Sequence, residues 1–431
     1  MHTERDDPME LTLLGTGPSA TLPHVDCLTA QPDAKPCRTC LSTLTPEGRK
    51  NKRRNTSAAL RVRGRDGQLK TIVIDVGKSF LPAATEWFPK YGLRHIDAVL
   101  ITHAHADAMN GLDDLRGEQR ACVMSFVCER YPGRRWRGYQ HKARVVRISD
   151  ALHVAPGWTL HSAIQPHVDI YLSEDTFNEV KVTFPYLVKK EFATGGGDVP
   201  EFRWHPYVTD REPFELGDTG ITVKPFAVPH GLCGVRPPVQ RLPSIPDHIA
   251  VAAPFSTSSP YASGCPGTPT TTGATTPTEN KQDFMCLGFT IQDTVTYISD
   301  CSRIPNDVLV DLQSSPTPVL VLDCLRLQPY VSHLSLEQAV GYARQLKARR
   351  TYLLGFTHDV SHEEYETMLR AVGGRRVPPK ELTESVRAGL DTLDLTGERV
   401  WIRPAFDGLQ VFVSEKGQVR DNEYDGSPGD G

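Results

Sequence analysis

The 431-residue sequence predicts an α/β sandwich. Three observations lead there. Apolar runs of strand length recur and close on glycine, helix-like stretches separate them, and several runs pass straight from a buried strand into a polar loop and then a helix.

The elements follow in order. MELTLLGTG (Met9 to Gly17) is an apolar strand ending in a glycine turn, where Gly15 and Gly17 fit a tight bend close to a site. RNTSAALRVRG (Arg54 to Gly64) and QLKTIVIDVG (Gln68 to Gly77) are the next two strands. FLPAATEWFPKYGL reads as a helix, and HIDAVLITHAHAD as a buried strand that runs into a polar loop. GLDDLRGEQRACVMSF starts a helix whose first turn carries Asp113 and Asp114, where the helix dipole favours carboxylates. An Arg-rich insertion follows, over about 117–160. Strand signals resume at VDIYLSE, at VKVTF and at GITVKPFAVPHG (Gly220 to Gly231). Residues of about 254–283 are Ser/Thr/Pro/Gly-rich and read as a disordered loop. CLGFTIQDTVTYISDCS is hairpin-like around Gln292 and Asp293, and PVLVLDCLR is another buried strand. SLEQAVGYARQLKARR (Ser335 to Arg350) has helical spacing with a capping serine, and RTYLLGFTHD is again strand into loop. This pattern describes a single domain over 1–415 with inserted loops, then a charged, flexible tail over 416–431.

Bulk properties narrow the partners. Lys+Arg 48 against Asp+Glu 52 leaves a net charge of -4, which disfavours nucleic acid or an anionic membrane as the main partner. RKNKRR (Arg49 to Arg54) is the local exception and reads as a solvated loop. No apolar stretch approaches the roughly 18 to 20 residues of a membrane span, and the charged N-terminus lacks a secretory core. A cytoplasmic or nuclear location follows as the expectation, with the ten cysteines as thiols or metal ligands.

The chemistry centres on LITHAHADAMNGLDDLR, in which His103, His105 and Asp107 alternate at a strand end. Residues two apart on a strand share a face, and imidazole with carboxylate suits zinc, manganese or iron. Position 108, where a further histidine would complete the run, is Ala108. His230, at the end of FAVPHG, and Asp300, at the end of VTYISDC, also follow strands and are candidate ligands on the same rim. Cys37 and Cys40, with Cys27 upstream, have zinc-knuckle spacing. Cys122, Cys286, Cys301 and Cys324 lie in apolar contexts and read as core. Arg116 and Arg326 are candidates for pairing a carboxylate or a phosphate, and His333 reads equally as a helix-start residue or a proton donor.

In motif order the chain resembles the metallo-β-lactamase superfamily. More narrowly, LGTGPSATLPHVDC, KPCRTC, NTSAALRV, VIDVG, GLDDLR, FPYL, VPHG, YISD and SHLSLEQA resemble the phosphoribosyl 1,2-cyclic phosphate phosphodiesterase branch, in a eukaryotic-type variant with Ala108 after HxHxD. The likeness runs from about Met9 to Gly408 outside the insertions and implies an αββα sandwich. It also implies two catalytic ions. His103, His105, His230 and a bridging Asp300 would hold the first, while Asp107 is kept for the second. The second centre's own histidines fall at Ala108 and, in an ungapped register from SHLSLEQA, at Gly355. The same register makes His358 the fourth ligand of a structural zinc with Cys27, Cys37 and Cys40, with His24 and His362 as fallback ligands. His333 corresponds to a histidine that contacts phosphate or protonates the leaving oxygen. Relatives also imply a homodimer.

The resulting expectation is a phosphodiesterase acting on a small, cyclic phosphodiester. Zn²⁺ or Mn²⁺ (one or two ions) would lower the pKa of bound water towards ~7 to give a hydroxide nucleophile. Asp107 and His333 are the expected catalytic residues. Alternatives on the same fold are an ester, thioester or lactone hydrolase, an RNA-processing phosphodiesterase, or a non-catalytic binding protein stabilised by zinc.

Overall fold

The computed structural model describes residues 8–116, 164–193, 201–233 and 282–424. Its strands are β1 (Met9–Gly15), β2 (Ser57–Arg63), β3 (Leu69–Ile74), β4 (Ala98–Leu100), β5 (Val168–Tyr171), β6 (Phe202–His205), β7 (Phe214–Glu215) and β8 (Thr222–Cys233). The second half supplies β9 (Gln282–Ile291), β10 (Val295–Ile298), β11 (Val319–Asp323), β12 (Arg350–Leu354), β13 (Ile402–Pro404), β14 (Gln410–Val413) and β15 (Val419–Asp421).

They form two sheets, ordered β15-β14-β1-β2-β3-β4-β5-β6 and β13-β12-β11-β10-β9-β8-β7. Each is antiparallel on one side and parallel on the other, with β3 to β6 parallel in the first and β10 to β13 in the second. The apolar runs are explained by burial on both faces. Ile72, Ile74, Ala98 and Leu100 point into the layer between the sheets with Val319, Val321, Tyr352 and Leu354. The alternate residues face helices. Val73 and Val99 meet the helix Phe80–Tyr91, while Leu320, Leu322 and Leu353 meet the helices Leu336–Leu346 and His362–Val372. Helix, sheet, sheet, helix is the expected αββα order.

Local signals explain several joints. Gln292 and Asp293 both have positive φ (50° and 48°), and Thr294 N–H donates to the Ile291 carbonyl, the turn that matches the twist of a two-residue hairpin. Ser335 caps the following helix in a reciprocal box with Gln338. Gly15 and Gly17 sit where the backbone of residues 53–55 presses close: a Cβ would lie 2.0 Å from the Asn55 carbonyl oxygen and 2.6 Å from Arg53 Cβ.

Four expectations change. VKVTF is not a strand. Val180 to Thr183 end the helix Glu174–Thr183, which Ser173 caps by accepting from Thr176 N–H, and Val180 is fully buried, so packing of one helical face overrides β-branched propensity. The tail is not loose throughout, because β15 pairs with β14 and Asp421 accepts hydrogen bonds from Arg350 and Tyr352. The low-complexity loop ends before Gln282, where β9 begins. RKNKRR is not wholly solvated either. Arg53 is buried and donates to the carbonyls of Phe356 (3.3 Å) and Val360 (3.2 Å), while Arg54 pairs with Asp407 at 3.6 Å. GLDDLR forms a short 3-10 turn, Leu112–Arg116. The 117–160 insertion, Cys122 and most of the 254–283 loop lie outside the described residues. Among the described residues no helix is long and apolar enough to cross a membrane.

Candidate metal centres

The two histidines of the HxHxD motif converge, though not by strand alternation. β4 ends at Leu100, His103 sits in irregular backbone, and His105 precedes the one-turn helix Ala106–Met109 that carries Asp107. Among the described residues the ligand atoms of His103, His105 and His230 lie within 4.8 Å of one another. A second such group joins His230, Asp300 and His333. Residues following β4 and β10 thus meet His230 of β8 at one rim. A register shift between Pro229 and Leu232, with Gly231 at φ 81°, bends β8 and aims His230 inward.

Hydrogen bonds leave the right nitrogens bare. His103 Nδ1 lies 2.8 Å from Thr102 Oγ1, and that hydroxyl lies 2.8 Å from Asp75 Oδ2 while Thr102 N–H donates to Asp75 Oδ1. A hydroxyl that donates to Asp75 is free to accept from His103 Nδ1, which leaves Nε2 as a ligand atom. His230 Nδ1 donates to the Ser332 carbonyl at 2.8 Å and likewise leaves Nε2. His103 Nε2 and Asp300 Oδ2 are buried with no hydrogen-bond partner among the described residues, a costly arrangement that a divalent cation relieves. Burial lowers the pKa of His103 to about 4 and also lowers that of His105, favouring the neutral, ligating form. Burial pushes Asp300 upward, but His230, His103 and His333 outweigh it and hold the carboxyl at about 2.

His333 stands at the edge of this group. Its Nδ1 is 3.2 Å from both oxygens of the fully buried Asp323 and 3.9 Å from Asp300. Burial disfavours its charge, yet Asp323 and Asp300 win and raise its pKa to about 9. Asp107 is buried and accepts a short hydrogen bond from Ser19. Phe284 covers the trio, its ring stacked on His105 at 4.5 Å. Arg326 lies over the Tyr330 ring at 4.5 Å and donates to the Pro329 carbonyl at 3.3 Å; the side chain of Arg116 is outside the described residues.

The cysteine cluster is a second candidate centre. Sγ of Cys27, Cys37 and Cys40 lie 3.2, 3.6 and 3.6 Å from His358 Nδ1. Tetrahedral zinc with ordinary Zn–S and Zn–N bonds spaces such atoms about 3.6 Å apart. Backbone N–H groups of His24 and Cys40 donate to the sulfurs of Cys40 and Cys37, each at 3.4 Å. Burial and the thiols of Cys40 and Cys37 push Cys27 up to about 12, a cost that a bound cation removes. Of the fallback ligands, His24 packs its ring on His358 at 4.2 Å, whereas His362 is buried against Tyr424 OH at 2.9 Å and belongs to the core. Cys286, Cys301 and Cys324 are buried, as expected, and Cys286 Sγ lies 3.7 Å from His103 Nδ1.

Sequence reasoning passed over Ser19, Asp75, Thr102, Phe284 and Asp323. Asp75 and Asp323 did carry a signal, each a lone acid closing an apolar strand; the others did not.

Residues 70–148 match the beta-lactamase superfamily domain. A solved diphosphatase from the PhnP family superposes with a TM-score of 0.51 at 20% identity, covering 93% of this chain and 96% of that one. Zn²⁺-bound PqqB from Methylobacterium extorquens aligns over 93% of this chain and 99% of that one, with a TM-score of 0.48 and 14% identity. In sequence, 112 residues are 36% identical to an octanoyltransferase of Porphyromonas gingivalis (strain ATCC BAA-308 / W83), a match that spans 25% of this chain and only 18% of that protein's length. Residues 70–148 thus match a superfamily domain within a two-sheet sandwich of the metallo-β-lactamase fold.

Proposed function

We propose that this chain is a metal-dependent hydrolase that cleaves a small phosphodiester, cyclic as the resemblance to phosphoribosyl cyclic phosphate phosphodiesterases implies. The observation that carries the reading is the meeting of His103, His105 and His230, joined through His230 to Asp300, with His103 Nε2 and Asp300 Oδ2 buried and unpartnered among the described residues, beside a histidine held by a carboxylate.

Those four residues would hold Zn²⁺ or Mn²⁺. When bound, such an ion supplies a Lewis acid for the phosphoryl oxygen and makes water acidic enough to react near neutral pH. His333, fixed through Nδ1 by Asp323, has its other ring nitrogen to give a proton to the departing alkoxide as the P–O bond breaks. Asp107 acts electrostatically on His103, His105 and His333 from the position that Ser19 fixes. Cys27, Cys37, Cys40 and His358 would hold a structural Zn²⁺ that ties the N-terminal loop to the loop after β12. The near-neutral charge balance supports a small-molecule substrate over nucleic acid, and a homodimer remains part of the proposal.

The test is a panel of ribose cyclic phosphate, bis-p-nitrophenyl phosphate, RNA, a thioester, a lactone and p-nitrophenyl acetate, run with wild type and His103→Ala alongside elemental analysis. Metal-dependent phosphodiester cleavage, lost together with one ion in the variant, is expected. Faster turnover of carboxylic esters, or an unchanged metal content in His103→Ala, overturns the reading.

A further inference from the structure

We infer that the reaction centre holds one divalent ion where the sequence resemblance implies two, and that Asp107 has become a carboxylate fixed by Ser19 instead of a metal ligand. The inference rests on the reading of His103, His105, His230 and Asp300 as the occupied site.

Both positions that would furnish the second ion's own histidines are closed. Ala108 offers no ligand atom and is 2% exposed, its carbonyl taken by Val76 N–H at 2.8 Å and its N–H donated to the His105 carbonyl at 3.0 Å. Gly355 has φ 91°, a backbone conformation that disfavours any side chain, and its N–H is spent on the Thr16 carbonyl at 2.8 Å. A Cβ at that position would stand 2.8 Å from Asp323 Oδ1. The room a histidine at 355 would need is therefore held by the carboxylate that orients His333.

Asp107 is committed elsewhere. It belongs to none of the groups of three mutually close ligand atoms found among the described residues, and its Oδ2 accepts from the Ser19 hydroxyl. That hydroxyl is delivered by a pinned turn, since the Ser19 carbonyl accepts from Asn55 Nδ2 at 3.1 Å and from Lys78 Nζ at 2.7 Å. The group His230, Asp300 and His333 does not supply a separate second ion. His230 has one free nitrogen, because Nδ1 is bonded to Ser332, and that nitrogen also completes the trio with His103 and His105. His333 Nδ1 is bonded to Asp323. The two groups compete for one imidazole atom, and one ion satisfies it.

The full chain, saturated separately with Zn²⁺ and Mn²⁺ and freed of excess, is analysed for metal per chain. Two ions are expected in total: one lost in His103→Ala, one lost in Cys37→Ser, and neither lost in Ser19→Ala, Asp107→Asn or His333→Ala. Manganese at the His103 site should give the spectrum of an isolated ion in electron paramagnetic resonance. A third ion that disappears in Asp107→Asn, a coupled-pair spectrum, or loss of the His103-site ion in Asp107→Asn overturns the inference. If any of these occurs while His103→Ala still loses its ion, the single-ion centre falls and the hydrolase reading stands; if His103→Ala keeps full metal content, the hydrolase reading falls first.

Discussion

Cys27 Sγ lies 3.2 Å from His358 Nδ1, joining the loop after β1 to the loop after β12. Arg53 makes a second tie between the same regions through the carbonyls of Phe356 and Val360. Because burial raises the Cys27 and Cys40 thiols above their ordinary range, a metal held there would contribute folding free energy directly. Cys37→Ser is expected to lose one zinc and to lower the melting temperature by about 5–10 °C. Calorimetry on wild type and variant, each with measured zinc content, checks this; equal melting temperatures would dismiss a structural role.

The His333–Asp323 pair makes a separable claim on catalysis. His333→Gln should lower kcat by roughly 10²–10⁴-fold for substrates with alkoxide leaving groups. The deficit should shrink for p-nitrophenoxide, which leaves without needing a proton. Asp323→Asn should show the same leaving-group dependence in weaker form, with metal content unchanged in both variants. A uniform loss across leaving groups would mean that His333 only shapes the pocket.

Much of this architecture was legible because its signals are local. Apolar runs such as Val319 to Asp323 could only be strands buried on both faces, and the polar Gln292–Asp293 pair between apolar runs could only be a turn. Histidines after strands marked the rim. What escaped depends on partners far away in sequence. Val180 is helical because of the surface it packs on, Arg53 is buried because three carbonyls of a distant loop need its guanidinium, and β15 exists because β14 offers an open edge. Ser19 carried no signal, since its role comes from a hydrogen bond to a residue 88 positions away. In the HxHxD motif the two histidines converge, but not by strand alternation, and Asp107 lies on a helical turn outside their group.

Asp75 would position a metal held at His103. With φ 59° it turns its carboxylate back onto Thr102, whose hydroxyl meets His103 Nδ1. Asparagine tolerates that backbone conformation, so Asp75→Asn tests the charge and acceptor pattern with little strain. The variant should bind the His103-site ion about 10–100-fold more weakly, measured by competition with a chelator, while the cysteine-site zinc stays in place. Unchanged affinity would remove Asp75 from the site.

Asp407 gives a pH-dependent signature remote from the metal ligands. Burial raises its pKa from 3.8 to about 6, against the opposing effects of Arg54 and of the hydrogen bonds from Thr16 and Arg54 N–H. The folded state therefore binds this proton more tightly than the unfolded chain does. Its contribution to stability is greatest below pH 3.8 and is lost as pH rises through about 6. The loss is on the order of 3 kcal/mol. Asp407→Asn cannot titrate, so the stability of wild type relative to the variant should fall across pH 4 to 7, as read by denaturant unfolding at each pH. A difference that stays flat, or that grows with pH, would show that the Arg54 pair keeps Asp407 ionised throughout.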